Sequence, residues 1–307
     1  MKVVFVFPGQ GAQKPGMGRE LFDNIPASRE IFQTSDKVLG YSITDKIFSG
    51  SAEDLKKTEI TQPAVFTVSV AALAALRDKM PDLRPSFTAG HSLGEYAAVY
   101  ASGALDFESA LKIVAARGRI LGKVKGGGMA VIMGLSDDKV KEICAGVPGG
   151  AVEAVNFNSP GQVVIAGSES ALKDACAAAS AAGAKRALPL AVSGPFHSSL
   201  MMPAREEFSE FIEGINFSEA SPPVLVNCCA KPLTSPQELK QALIDQVSSP
   251  VLWVDSVNYM TGAGADTFVE LGPGNIVGGL IKKIYGGAKC FGISDTVTLE
   301  NTLKELK

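Results

Sequence analysis

Apolar positions along the chain fall into short unbroken runs and longer helical stripes, and the two kinds alternate. Lys2 to Phe7 is a continuous apolar run, the pattern of a strand covered on both faces. It empties into Pro8-Gly9-Gln10-Gly11-Ala12-Gln13, a loop too rich in glycine to be helical. Two helices are expected next, then Ser51 to about Thr58, with Ser51 and Asp54 placed for capping. Thr61-Gln62-Pro63 predicts the start of a long apolar helix to about Lys79, Pro63 standing at its first position. A short strand at Phe87 to Ala89, a helix from Leu93 to about Ala101 and a helix from Phe107 to Leu121, capped by Asp106, complete this half.

The rhythm changes after Gly126-Gly127-Gly128. Met129 to Gly134 reads as strand and Ser136 to about Ala145 as helix. Ala151 to Phe157 and Gln162 to Gly167 form a hairpin around Asn158-Ser159-Pro160-Gly161, followed by a helix from Ser168 to about Ala182 and a strand from Arg186 to Val192. This βαββαβ order is ferredoxin-like and predicts a small domain, residues 126–192, inserted into a core made of 1–125 and 193–307. The core resumes with a helix from Ser198 to about Ile212, a strand at Val224 to Asn227 and a helix from Ser235-Pro236 to near Gln246. A helix over Val251 to Met260, a strand at Thr267 to Leu271, a helix to Tyr285, a strand at Cys290 to Ile293 and a last helix follow. Gly-rich loops after Phe7, Ala89 and Leu271 mark one edge of a mainly parallel sheet as the expected binding face of an α/β fold.

Composition removes several classes of function. A net charge of −3 over 307 residues gives no general attraction to nucleic acid. No apolar run approaches the length of a membrane helix, and the N-terminus enters a core strand with no leader before it. Five cysteines without a Cys-x-x-Cys pair are expected to be reduced thiols in a cytoplasmic protein. The two histidines, His91 and His197, exclude a zinc site with several imidazoles. The loop at Pro8 to Gln13 lacks the Gly-Lys-Ser/Thr of a phosphate loop, and its dinucleotide fingerprint is incomplete.

Candidate chemistry centres on Gly90-His91-Ser92-Leu93-Gly94, between a strand and a helix. That order predicts a tight turn that lifts Ser92 Oγ above the sheet and aims the N–H of Leu93 at a developing oxyanion. An ordinary Gly-rich turn is the alternative. His91, at a strand end, should point away from Ser92 and suits a supporting role; His197, in a Gly-Pro-led loop before a helix, is a cap or the base for Ser92. On a helical wheel Lys112, Arg119 and Lys123 share a polar face, whereas Arg117 falls among Ala110, Ile113 and Leu121. A buried guanidinium needs an anion: either an internal carboxylate or a substrate's. Gln10, a neutral donor between glycines, sits at the same strand edge.

These pieces, with Phe7-Pro8-Gly9-Gln10-Gly11, Thr61-Gln62-Pro63-Ala64, Gly194-Pro195-Phe196-His197-Ser198 and Glu270-Leu271-Gly272-Pro273, resemble the malonyl-CoA:acyl carrier protein transacylases of bacterial type II fatty acid synthesis from end to end. The resemblance implies an α/β-hydrolase-like core interrupted by a ferredoxin-like small domain. It implies Ser92 as the acylated serine, His197 as its partner, Arg117 as the mate of the malonyl carboxylate, and Gln10 with the Leu93 N–H as oxyanion hole. The carbonyl of Gln246 is implied to orient the histidine, and Phe196 to favour malonyl over branched acyl groups. The substrates implied are malonyl-CoA and phosphopantetheinylated acyl carrier protein, with no cofactor. A monomer is expected. A serine esterase or thioesterase, a transacylase of a polyketide pathway and a non-catalytic carrier-binding module stand as alternatives. Lys185-Arg186 and Lys282-Lys283 are candidate docking pairs for an acidic carrier.

Overall fold

The strand β1 (Val3–Phe7) is buried along its whole length, as its unbroken apolar run requires. It is followed by α1 (Arg19–Asn24), α2 (Pro26–Leu39), α3 (Ile43–Ser49), a 3-10 turn at Asp54–Lys56 and α4 (Thr58–Lys79) in the computed structural model, which describes residues 1–307. Then come β2 (Phe87–Gly90), α5 (Gly94–Ala101) and α6 (Phe107–Lys123). A second group consists of β3 (Gly127–Met133), α7 (Asp137–Gly146), β4 (Val152–Ser159), β5 (Gln162–Ser168), α8 (Glu169–Ala181) and β6 (Arg186–Pro189). The chain closes with α9 (Met202–Glu213), β7 (Val224–Leu225), β8 (Pro232–Leu233), α10 (Pro236–Gln246), α11 (Trp253–Gly262), β9 (Thr267–Leu271), α12 (Ile276–Ile284), β10 (Lys289–Ile293) and α13 (Thr296–Leu306).

Two sheets result. The larger has six strands in the order β10-β9-β1-β2-β7-β8, parallel except for β8 at its edge. In the smaller, the order β4-β5-β3-β6 is antiparallel throughout. Register decides where a site can form. Phe7 lies opposite Gly90 and Val6 opposite Glu270, so the loops after β1, β2 and β9 leave the large sheet at one edge. The small sheet is tied to that region by main-chain bonds between β4 and the segment before α11: Phe157 N–H donates to Val251 O at 3.0 Å, and Val251 N–H to Val155 O at 2.7 Å.

Several sequence expectations need correction. Three helices, not two, follow the first loop, and the stretch from Ser51 forms only a 3-10 turn, although Ser51 Oγ does accept from Asp54 N–H. The long helix begins at Thr58, which leaves Pro63 inside it. Packing explains the extra turn: α6 comes so close at Gly118 that a Cβ there would stand 2.9 Å from Thr58 O. α4 is the one helix long and apolar enough by composition to cross a membrane, with a mean hydropathy of 1.4 over its most apolar 18-residue window. Of that apolar window 83% is buried inside the fold, so α4 is a core helix. β8 has no signal in the sequence, being two residues long. The hairpin turn is tighter than expected, with Asn158 and Ser159 belonging to β4.

The β2–α5 turn is close-packed at both glycines. A Cβ on Gly90 would meet Gly94 C at 2.0 Å, and one on Gly94 would meet Phe7 O at 2.2 Å. Gly94→Ala is therefore expected to destabilise the chain by roughly 3 kcal/mol or more, because backbone blocks the methyl group. Gly279→Ala, inside α12 with nothing within 4 Å, is expected to stabilise it by about 0.5–1 kcal/mol. Urea unfolding midpoints of the two variants check both signs.

Candidate active site

At the shared sheet edge lies a cavity of about 360 Å³, lined among others by Gln10, Ser92, Leu93, Arg117 and His197. The structure thus brings five of the six sequence-predicted site residues to one space. The sixth, Gln246, is fully buried at the end of α10, directly behind it.

Ser92 stands at φ 50°, in the left-handed region that non-glycine residues rarely occupy. The turn holds it there. Its N–H donates to Asn227 Oδ1 at 2.7 Å, and Gln246 Nε2 donates to its carbonyl at 2.9 Å. Asn227 is anchored in turn by donating from Nδ2 to Gly90 O at 2.8 Å. The turn is the strained one expected for an exposed nucleophile, not an ordinary glycine loop.

Ser92 Oγ and His197 Nε2 are 2.7 Å apart. His197 Nδ1 lies 2.8 Å from the main-chain oxygen of Gln246, which can only accept. The proton is thereby assigned to Nδ1, leaving Nε2 to accept from Ser92. His197 also has a left-handed backbone, at φ 66°, and caps no helix; Ser198 stands at the helix entry. Burial, followed by the Arg117 charge, pushes the imidazole down to about 3, so it is neutral over the physiological range. His91 behaves as expected of a supporting residue. It turns away to bond Asn158 Oδ1 at 2.7 Å and packs edge-on against Trp253.

Arg117 is 2% exposed. Nη1 donates to Gln62 Oε1 at 3.0 Å, Nη2 to Gln246 Oε1 at 2.9 Å, and Nη2 reaches Ser92 Oγ at 3.4 Å. The Tyr96 ring lies 5.2 Å from the guanidinium carbon, and Nε has no partner. Every partner is neutral, and none of the chain's ion pairs includes Arg117. Of the two alternatives left open by the helical wheel, an internal carboxylate in contact with Arg117 is absent; the buried Glu95 reaches it only through the Gln246 amide. The N–H groups of Gln10 and Leu93 receive no acceptor from the fold, and both residues line the cavity.

Sequence reasoning misses three contributors. Gln62, within Thr61-Gln62-Pro63, cradles the guanidinium. Asn227 reads from sequence only as the end of a strand. Glu95 stands next to the serine motif without an assigned role, although a lone carboxylate in the otherwise apolar Gly94-Glu95-Tyr96-Ala97-Ala98-Val99 is itself a signal. Glu270 serves elsewhere, accepting from the N–H groups of Ile276, Val277 and Gly278 and so fixing the start of α12 beside the cavity.

Arranged so, the residues can activate a serine, stabilise a tetrahedral oxyanion and hold a small anion beside it. The comparisons agree with that chemistry. Residues 4–285 match the acyl transferase domain. The malonyl CoA-acyl carrier protein transacylase of Bacillus subtilis (strain 168) is 40% identical, over 100% of this chain and 98% of that protein. The crystal structure of an acyl-carrier-protein S-malonyltransferase from Burkholderia pseudomallei 1710b superposes with a TM-score of 0.96 at 40% identity, over 99% of this chain and 100% of that one. A malonyl-transacylase solved in complex with its type II PKS acyl-carrier protein gives 0.96 at 39% identity, over 99% and 100% of the two chains. A shared fold over nearly the whole length, with the serine turn and the buried arginine at its centre, leaves one assignment: the chain belongs to the acyl transferase domain family and, within it, to the malonyl-CoA:acyl carrier protein transacylases.

Proposed function

We infer that this chain transfers the malonyl group from malonyl-CoA to the phosphopantetheine thiol of acyl carrier protein, for fatty acid synthesis. The observation that carries this reading is the Arg117 guanidinium, buried without a counter-ion 3.4 Å from Ser92 Oγ. A neutral acyl group leaves that charge unmatched; a carboxylate one methylene beyond the reacting carbonyl meets it. The short distance favours malonyl over longer dicarboxylic acyl groups.

Each residue then has a step. His197 Nε2 takes the Ser92 hydroxyl proton as Oγ attacks the thioester carbonyl, and the N–H groups of Leu93 and Gln10 donate to the oxyanion. The intermediate collapses, and the CoA sulfur leaves as thiol with the proton held on His197. The carrier's thiol, deprotonated by the same nitrogen, attacks the ester carbonyl, and Ser92 recovers its proton. The Gln246 carbonyl keeps His197 in the working tautomer without adding a negative charge near the malonyl carboxylate. Serine and imidazole suffice for both halves, so no cofactor is invoked. Phe196 lines the cavity beside His197 and limits room for an α-methyl branch.

The same reading treats residues 1–125 and 193–307 as an α/β-hydrolase-like catalytic core and 126–192 as a ferredoxin-like small domain. Support for the latter comes from its antiparallel order β4-β5-β3-β6 and its own cluster of buried apolar side chains. A cytoplasmic monomer remains the proposed state. Lys283 Nζ donates to the cavity-lining Gln162 at 3.3 Å, which favours the exposed Lys282-Lys283 pair for docking an acidic carrier.

Incubation with equimolar malonyl-CoA and acetyl-CoA, followed by intact-mass analysis, is expected to show a malonyl adduct on Ser92 in excess over acetyl. Arg117→Ala is expected to reverse the preference, lowering malonyl transfer by about 10²-fold or more, the loss of a buried charge-assisted pair. A malonyl-enzyme hydrolysed at once without a thiol acceptor makes the chain a thioesterase instead.

The pH dependence of acylation gives a separate check. His197 is pushed down to about 3 partly by the Arg117 charge, so its base form persists as pH falls well below the usual histidine value. A bound malonyl carboxylate cancels that charge and raises the imidazole again. The acid limb of kcat for malonyl-CoA is therefore expected at higher pH than that of kcat/KM, whereas acetyl-CoA shows no such separation. Stopped-flow acylation with pH-jump mixing, carried from neutral pH down to below the free-enzyme value of about 3, measures both limbs.

A further inference from the structure

Behind the Ser92–His197 pair lies a carboxylate to which the transfer chemistry gives no step. Glu95, in the first turn of α5, has no exposed surface. Its Oε2 accepts from Asn227 N–H at 2.9 Å and from Gln246 Nε2 at 3.0 Å. Both donors grip Ser92 by its main chain, Asn227 at the N–H and Gln246 at the carbonyl. Gln246 also accepts from Arg117 through Oε1 and orients His197 through its own carbonyl. One oxygen of Glu95 is thus a single hydrogen bond away from both residues that grip Ser92, and one of these, Gln246, also holds Arg117 and orients His197.

A primary amide can face either way, and its neighbours decide. Arginine only donates, so Gln246 Oε1 faces Arg117. Its NH2 end must then find acceptors on the far side, and Ser92 O and Glu95 Oε2 are the two it has. Without the second, the amide loses much of its reason to keep that orientation, and reversal would set its NH2 against the guanidinium.

We propose that Glu95 is a positioning residue for malonyl transfer, whose Oε2 locks the Gln246 amide and through it aligns Arg117 with the Ser92 turn. The proposal rests on the reading that Arg117 holds the malonyl carboxylate. Glu95 acts by placing an acceptor, not by its charge. Burial pushes its carboxyl up to about 7, against the bonds from Gln246 and Asn227 and the charge of Arg117; a proton on the unpartnered Oε1 leaves Oε2 accepting. Geometry and charge can be separated by two conservative changes. Glu95→Gln keeps an acceptor at the Oε2 position and puts its NH2 where Oε1 has no partner. Glu95→Asp keeps the carboxylate but withdraws it by one methylene, about 1.5 Å.

The test uses the intact chain with equimolar malonyl-CoA and acetyl-CoA in a single turnover, reading the ratio of the two Ser92 adducts by mass spectrometry. A ratio does not depend on how much protein is folded, so simple destabilisation leaves it unmoved. Glu95→Gln is expected to keep the wild-type ratio within about twofold, and Glu95→Asp to lower it about tenfold by loosening Arg117. Equal ratios for wild type and Glu95→Asp overturn the positioning role, as does a Glu95→Gln ratio reduced as far as that expected of Glu95→Asp. A wild-type chain with no malonyl preference overturns the Arg117 reading itself, and this proposal with it.

Discussion

A guanidinium that cannot lose its proton has been buried without an anion, and the rest of the site is arranged around that constraint. In a low-dielectric interior such a charge is costly unless polar atoms surround it. The chain supplies two glutamine oxygens and an aromatic face, all neutral. Neutral partners lower the cost without cancelling the charge, so its field reaches the neighbours. His197 is held neutral partly by that field, which suits an imidazole that must begin the reaction unprotonated. The Gln246 carbonyl likewise orients His197 without bringing a charge into contact with the imidazole.

Ser92 and His197 come from segments 105 positions apart in sequence and meet in unusual backbone conformations. Ser92 and His197 both have positive φ, and neither is glycine. Strain of this kind persists only when surrounding bonds over-determine it. Ser92 is gripped at both its N–H and its carbonyl, and His197 is bonded at both ring nitrogens. The parallel register makes the meeting possible, since β1, β2 and β9 deliver their loops to one edge.

Much of this is legible in the sequence because it is local. The serine turn announces itself through two glycines and flanking periodicities, and Arg117 through its place on an apolar arc. The short apolar runs that follow Gly126-Gly127-Gly128 carry the strands of the small sheet. What escapes is set by distant packing. α4 starts at Thr58 and not near Pro63 because Gly118 lets α6 press against it, and no helix-start signal at Pro63 encodes that approach. Asn227 and Glu95 meet across 132 positions of sequence, and a bond of that kind leaves no spacing to read. Gln246 is reached only through family resemblance, since a main-chain carbonyl carries no residue signature.

The cage around Arg117 also bears on which form of the protein is most at rest. In the free chain its charge is met by two amides, a hydroxyl and an aromatic face, an ion pair with one half missing. Once Ser92 carries a malonyl ester, the missing half is covalently attached and cannot diffuse away. With Arg117 read as the mate of the malonyl carboxylate, the acyl-enzyme is the electrostatically complete fold, and the free enzyme the unmatched state between one loading and the next.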